Sequence, residues 1–223
     1  MQKLQRINGS WMPPGVVDIT PAGYESPDFG WALFQLMVQN IDSRAGARAA
    51  DMVATLAFLA GRILQRATFR ERPQDFRIDQ SANGIAILRN DHVSEKLSVL
   101  APGSLASALT EGAIVAGARR FPEIAKVRQE AQEAMHRRGA AELRGNELSA
   151  SPRELASLVQ DDVDDLLADP ANRVALVRAG VQACGFAVGY NRSRLCPADA
   201  AELGLSVAFY GSWLDQRVTA RIR

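Results

Sequence analysis

Four stretches without a charged residue, Phe29 to Ile41, Met52 to Gly61, Ala179 to Asn191 and Leu203 to Leu214, constrain this chain more than any other feature. Each is shorter than the roughly 18 apolar residues that a bilayer span requires. They therefore read as core helices of a soluble protein, apolar all round because neither face meets water. The fold expected is mainly α, a bundle of about seven or eight helices.

Punctuation residues divide the chain. Pro13, Pro14, Pro21 and Pro27, together with Trp11 and Tyr24, predict an extended N-terminal arm over residues 1–27. Ser26 and Pro27 read as the cap and first residue of a helix over 28–41. A second helix is expected from Arg44 to Ala67, where Ala50, Ala54, Ala57 and Gly61 form a stripe that lets another backbone approach. Phe76 and Ile78, the Asn83-Gly84 pair, then Ile85 and Ile87 predict a small β-hairpin near 75–88. Further helices are expected near 94–100, over 104–119 and over 122–138, the last with Ile124, Val127, Ala131 and Met135 inward. A polar connector over 139–150 follows. Ser151 and Glu154 have the spacing of a capping box and open a helix that ends near Ala168, and two more are expected over 171–190 and 197–218.

A weak echo links the two ends of the chain. A shift of 151 places Asn40, Ala47, Ala49, Ala50, Ala57 and Phe58 on Asn191, Ala198, Ala200, Ala201, Ala208 and Phe209. With 36 alanines in the chain the alanine matches weigh little. The shared order of buried helix, short loop and small-residue helix nonetheless predicts two helical hairpins, 28–67 and 171–218, packed together under a cover formed by the middle. A chain of 223 residues buries enough surface for this to be one domain, 28–223.

Composition excludes more than it identifies. The net charge of +1 supplies no field that would gather nucleic acid or anionic lipid non-specifically. Arginine outnumbers lysine 23 to 3 along the whole chain, which points to a GC-rich bacterial genome. Cys184 and Cys196 form neither a disulfide framework nor a zinc ligand set, and they read as reduced, partly buried thiols of a cytoplasmic protein. The N-terminus lacks the unbroken apolar run of a secretory signal. No G-x-S-x-G elbow, Walker-type loop or G-x-G-x-x-G after a strand is present.

One acidic cluster has a spacing that chemistry could use, "QDDVDDLLADP" over 160–170. On a helix Leu155, Leu158, Val159, Val163 and Leu166 would face inward, Asp164 would be solvated, Asp161 and Asp165 would stack one turn apart, and Asp162 would fall near the centre of the apolar stripe. A carboxylate there requires a partner, either an arginine or a cation, and an arginine is expected.

Asp161, Asp162 and Asp165 resemble the DDxxD motif of class I isoprenoid synthases, and Asn90, Asp91 and Ser94 resemble the start of the second metal motif of such enzymes. That resemblance implies magnesium held by Asp161, Asp162, Asp165, Asn90, Asp91 and Ser94 against a diphosphate. Ser98 stands where the second motif has glutamate, and the two motifs occur in reversed order.

The remaining candidates are weaker. His92 has Asp91 and Glu95 nearby, and His136 lies beside Arg137 and Arg138. Both read as surface histidines. Arg62, Arg66, Arg70, Arg72 and Arg77 could contact phosphate, or could favour a helix C-terminus. Phe209, Tyr210 and Trp213 read as core, with a partner surface as the alternative. The function expected is a non-enzymatic protein acting through helix-mediated contacts, with a protein partner or with itself. The alternative is a magnesium-dependent enzyme or binder of a diphosphate ligand, and the third reading is nucleic-acid binding through Arg62–Arg77.

Overall fold

A computed structural model describes residues 5–7, 10–12, 29–42, 48–80, 86–137 and 148–214; for a few of these, Asp162 and His136 among them, the description covers the backbone alone. The eight α-helices of the described residues are α1 Phe29–Asp42, α2 Ala49–Glu71, α3 Asp91–Ser98, α4 Leu105–Val115, α5 Ile124–Arg137, α6 Pro152–Ala168, α7 Pro170–Tyr190 and α8 Pro197–Trp213. Two small antiparallel hairpins join them: β1 (Gln5–Ile7) with β2 (Ser10–Met12), and β3 (Arg77–Gln80) with β4 (Ala86–Arg89). The protein is thus mainly α with the expected hairpin, whose register pairs Ile78 with Leu88 and Asp79 with Ile87. The Asn83-Gly84 turn, Ser26-Pro27 and most of the 139–150 connector lie outside the described residues.

Local chemistry sets the boundaries. Asn90 accepts from the Val93 N–H at 2.9 Å, Ser104 from Ser107 N at 3.1 Å and Asp169 from Ala171 N at 2.9 Å, each supplying a helix N-terminus with an acceptor for a free donor. Proline occupies the first turn of α6, α7 and α8, where its missing N–H costs nothing. Ser151 is the N-cap of α6, but its side chain makes no cap hydrogen bond, so the expected capping box is not formed.

Several boundaries differ from the sequence pattern: α2 runs past Ala67 to Glu71, α4 stops at Val115, short of 119, and two further ends have a visible cause. The helix expected from Arg44 begins at Ala49, because Asp51 takes the Arg48 N–H at 2.7 Å and starts the first turn there. The last helix stops at Trp213, short of 218. Leu214 turns extended and bridges to Ile87 on β4, and its carbonyl accepts from Arg62 Nη1 at 2.7 Å and Gln65 Nε2 at 2.8 Å. Two side chains of α2 therefore cap α8.

The core is one continuous cluster drawn from both ends of the chain. Helix α2 lies along α8 and also packs on α7, α1 packs on α7, α4 covers α7 and α8, α5 covers α8, and α6 covers α2. The 28–67 and 171–218 segments do pack together, as expected, but each pairs chiefly with the other and only slightly within itself. This corrects the picture of two self-contained hairpins.

Contacts advance along α2 and α8 in the same direction, from Val53 near Gly204, through Phe58 at Gly211, to Arg62 and Gln65 at Leu214. The two helices run parallel, and Val53 faces Gly204 at the same shift that aligns the sequence echo. The small residues explain the closeness. A Cβ on Gly61 would run into the Ala208 carbonyl oxygen, and one on Gly112 would sit 2.5 Å from the Gly185 carbonyl oxygen. The stripe Ala50, Ala54, Ala57 and Gly61 is buried along its length, so it serves the interior.

Candidate functional site

The acidic helix α6 buries Leu155, Ala156, Val159, Val163 and Leu167. This stripe is rotated by about 50° from the one that leucine spacing suggests, because Ala156 and Leu167 are buried while Leu158 and Leu166 are only partly so. The rotation moves position 162 from the centre of the stripe toward its flank and turns Asp164 toward the protein. Asp164 is not simply solvated: it forms an ion pair with Arg66 of α2 and accepts from Gln160 Nε2 at 3.1 Å. An arginine does meet this cluster, but its described partner is Asp164. The Asp162 side chain lies outside the description. Burial, then the neighbouring Arg70, lowers the pKa of the Arg66 guanidinium, and Asp161 opposes that shift.

Asp161 and Asp165 are exposed. Asn90 is buried, spending its oxygen on the α3 cap and its Nδ2 on the Asp75 carbonyl at 3.3 Å. Asp91 pairs with Arg77 at 2.8 Å on the surface. Ser94 is buried, and its carbonyl accepts from Ser98 Oγ at 2.7 Å. Helix α3 packs on α2, α4 and α8, whereas α6 packs on α2 and α7. Among the described residues no three His, Cys, Asp or Glu side chains come together as a metal-holding group.

The basic run is also divided. Arg62 is 3% exposed and holds the end of α8 together with Gln65. Arg66 is paired across helices, while Arg70, Arg72 and Arg77 are exposed. The run does not present one face. Trp213 is buried, stacked on Phe209 at 5.6 Å with the Arg89 guanidinium 5.9 Å from its ring centre, so this aromatic group is core. His92 is exposed beside Glu95 and Lys96 at the rim of a cavity of about 210 Å³. Cys184 is fully buried, and its desolvation pushes the thiol pKa up, whereas Cys196 is exposed.

Two features escaped the sequence reading. Asp51 is completely buried yet satisfied: it accepts from Arg48 N, from Ser149 N at 2.8 Å, from the Ser149 hydroxyl and from Ala150 N at 3.4 Å. It ties the end of the 139–150 connector to α2.

The second feature is an apolar surface where α7 lies between α4 and α1. Gly185 meets Ala108 and Gly112 of α4. Next to it Phe186 is 39% exposed and Tyr190, one turn on, is 49% exposed. Both contact the buried Phe34 of α1, with ring centres 6.2 and 5.5 Å apart. Val115, three residues beyond Gly112 and hence on the flank of α4 toward α7, is 78% exposed. Two aromatics spaced i, i+4 near the end of an apolar helix would have been the sequence signal.

No protein-family model, no curated protein and no solved structure matches the chain. No helix among the described residues is long and apolar enough to cross a membrane.

Proposed function

We propose that this protein acts by binding another protein, through the apolar surface that Phe186 and Tyr190 form over Phe34. The observation that supports this is the half-exposure of two large aromatics, backed by a third ring, on a helix whose other apolar side chains are mostly buried. Exposed aromatic clusters of this kind mark contact sites, since tyrosine and its aromatic relatives carry much of the energy of protein interfaces. The small-residue stripes do not contribute to the reading, because they are consumed inside the fold.

Site-specific photo-crosslinking tests it. Benzoylphenylalanine at position 186, which keeps the phenylalanine ring and adds a benzoyl group at its para position, is expected to give a discrete higher-mass protein adduct in the native host. The same probe at Ser157, exposed on the far side of α6, is expected to give none. Equal labelling at both positions, or no adduct at 186, would refute the proposal.

A further inference from the structure

The charge around the Phe186 surface is one-sided. From 170 to 198 the chain contains no aspartate or glutamate, but it contains Arg173, Arg178, Arg192 and Arg194. In a chain whose basic and acidic residues number 26 and 25, so long a stretch of one sign is local patterning. Arg173 donates to the Leu167 carbonyl at 3.2 Å and is spoken for. Arg178, Arg192 and Arg194 are exposed and form no ion pair among the described residues.

The position of Arg178 follows from helix geometry. Val174, Arg178, Gln182, Phe186 and Tyr190 recur every four residues, so they trace one slowly turning strip along α7. Val174 and Arg178 are exposed at its start, Phe186 and Tyr190 at its end, and Arg192 and Arg194 follow immediately in the loop to α8. Among the described residues the walls do not cancel this charge. Helix α1 has no charged residue before Asp42, and α4 contributes Glu111 alone, which already accepts from Ser107 Oγ at 2.8 Å.

We propose that the occupant of this surface is an acidic amphipathic helix of a partner protein. The inference rests on the interaction reading above and adds the chemistry of the partner. Anchors one turn apart, Phe186 and Tyr190, suit the i, i+4 apolar face of a helix. The cations at both ends of the strip suit a rim of aspartate or glutamate, which would steer the encounter and fix its direction. The aromatics are half sunk against Phe34 and do not project as wedges. A helix laid along α7 fits that shape better than insertion into a lipid surface.

The test uses the full chain with benzoylphenylalanine at 186. Replacing Arg178, Arg192 and Arg194 together by glutamate is expected to lower adduct yield at least about tenfold. The corresponding lysine set keeps most of the yield, because charge and not bidentate geometry sets the rim. Raising salt from about 50 to 500 mM is expected to reduce the wild-type yield several-fold, since exposed charges are screened over this range. Mass spectrometry of the adduct should place the crosslink in a segment rich in Asp and Glu.

An adduct that survives both charge reversal and salt overturns the acidic-partner inference while leaving the interaction reading intact. So does an adduct removed by nuclease, or flotation of the chain with phosphatidylglycerol–phosphatidylcholine vesicles with crosslinks to lipid alone. Absence of any adduct at 186 in the unaltered charge background removes both. Thermal melting of the charge-reversed chain, expected within a few degrees of wild type because the three side chains are solvated, separates lost binding from lost folding.

Discussion

At the scale of single residues, burial of polar groups decides where this chain is vulnerable. Asp51 is a carboxylate withdrawn from water and compensated by backbone N–H groups and a hydroxyl from two segments far apart in sequence. Hydrogen bonds to a charged group are worth more than neutral ones, and deleting the acceptor strands its donors. Asp51→Ala should destabilise by about 2–4 kcal/mol, which lowers the melting temperature by roughly 5–12 °C for a chain of this size. Ser149→Ala, which removes one donor only, should cost about 1 kcal/mol. Calorimetry on the two variants checks both the magnitudes and their order.

Cys184 offers a pH signature. Its folded-state pKa is raised by burial, so folding holds a proton that the unfolded thiol loses near its ordinary value of 9.0. The stabilising contribution is complete below pH 9.0 and is lost as pH rises from there toward the folded-state value. The loss is up to about 1.4 kcal/mol per pH unit. Urea unfolding at pH 8, 9 and 10 should therefore show wild type losing stability faster than Cys184→Ala above pH 9. Parallel curves would show that the buried thiol is not the cause.

At the scale of elements, most of the helices were legible because their signals are local. Proline and cap residues punctuate the chain, and periodicity marks the faces. What was not legible depended on distant partners. The end of α8 is set by Arg62, Gln65 and the bridge to Ile87, and none of these is near Leu214 in sequence. The orientation of α6 is set by α2, and for that reason Asp164, which helix geometry alone placed in water, meets Arg66. The candidate surface was hidden for a similar reason: Phe186 and Tyr190 look like core until α4 and α1 are seen to leave them partly exposed.

Close helix approach yields a paired prediction. On propensity alone, Gly to Ala in a helix should stabilise by about 0.5–1 kcal/mol. Gly189, with no atom within 4 Å of an added Cβ, should follow that rule in Gly189→Ala. Gly61 should reverse it, because the added methyl meets the Ala208 backbone and must push α2 and α8 apart. Overpacking of this kind costs about 1–3 kcal/mol. Opposite signs in chemical denaturation support the crossing, and a stabilising Gly61→Ala would contradict it.

At the scale of the whole molecule, the topology ties the ends of the chain together. Helices α1 and α2 find their principal partners in α7 and α8, more than a hundred residues away. Neither end owns a core, since Ala57, Leu59 and Ile63 are buried in the same cluster as Leu205, Ala208 and Phe209. Withdrawing either end would expose the stripe of the other, a loss of order 1 kcal/mol for each fully buried aliphatic side chain and more for the larger ones. That exceeds what a middle segment of short covering helices could restore. We therefore expect residues 28–223 to behave as one cooperative domain. Helicity followed by circular dichroism, and the environment of buried Trp213 followed by fluorescence in a chain with Trp11 and Trp31 replaced by phenylalanine, should lose their native signals at the same denaturant midpoint. A chain ending at residue 190 should then be unfolded throughout, without a stable remnant of α1 and α2. Separate midpoints, or a folded truncated chain, would divide the protein into independent units.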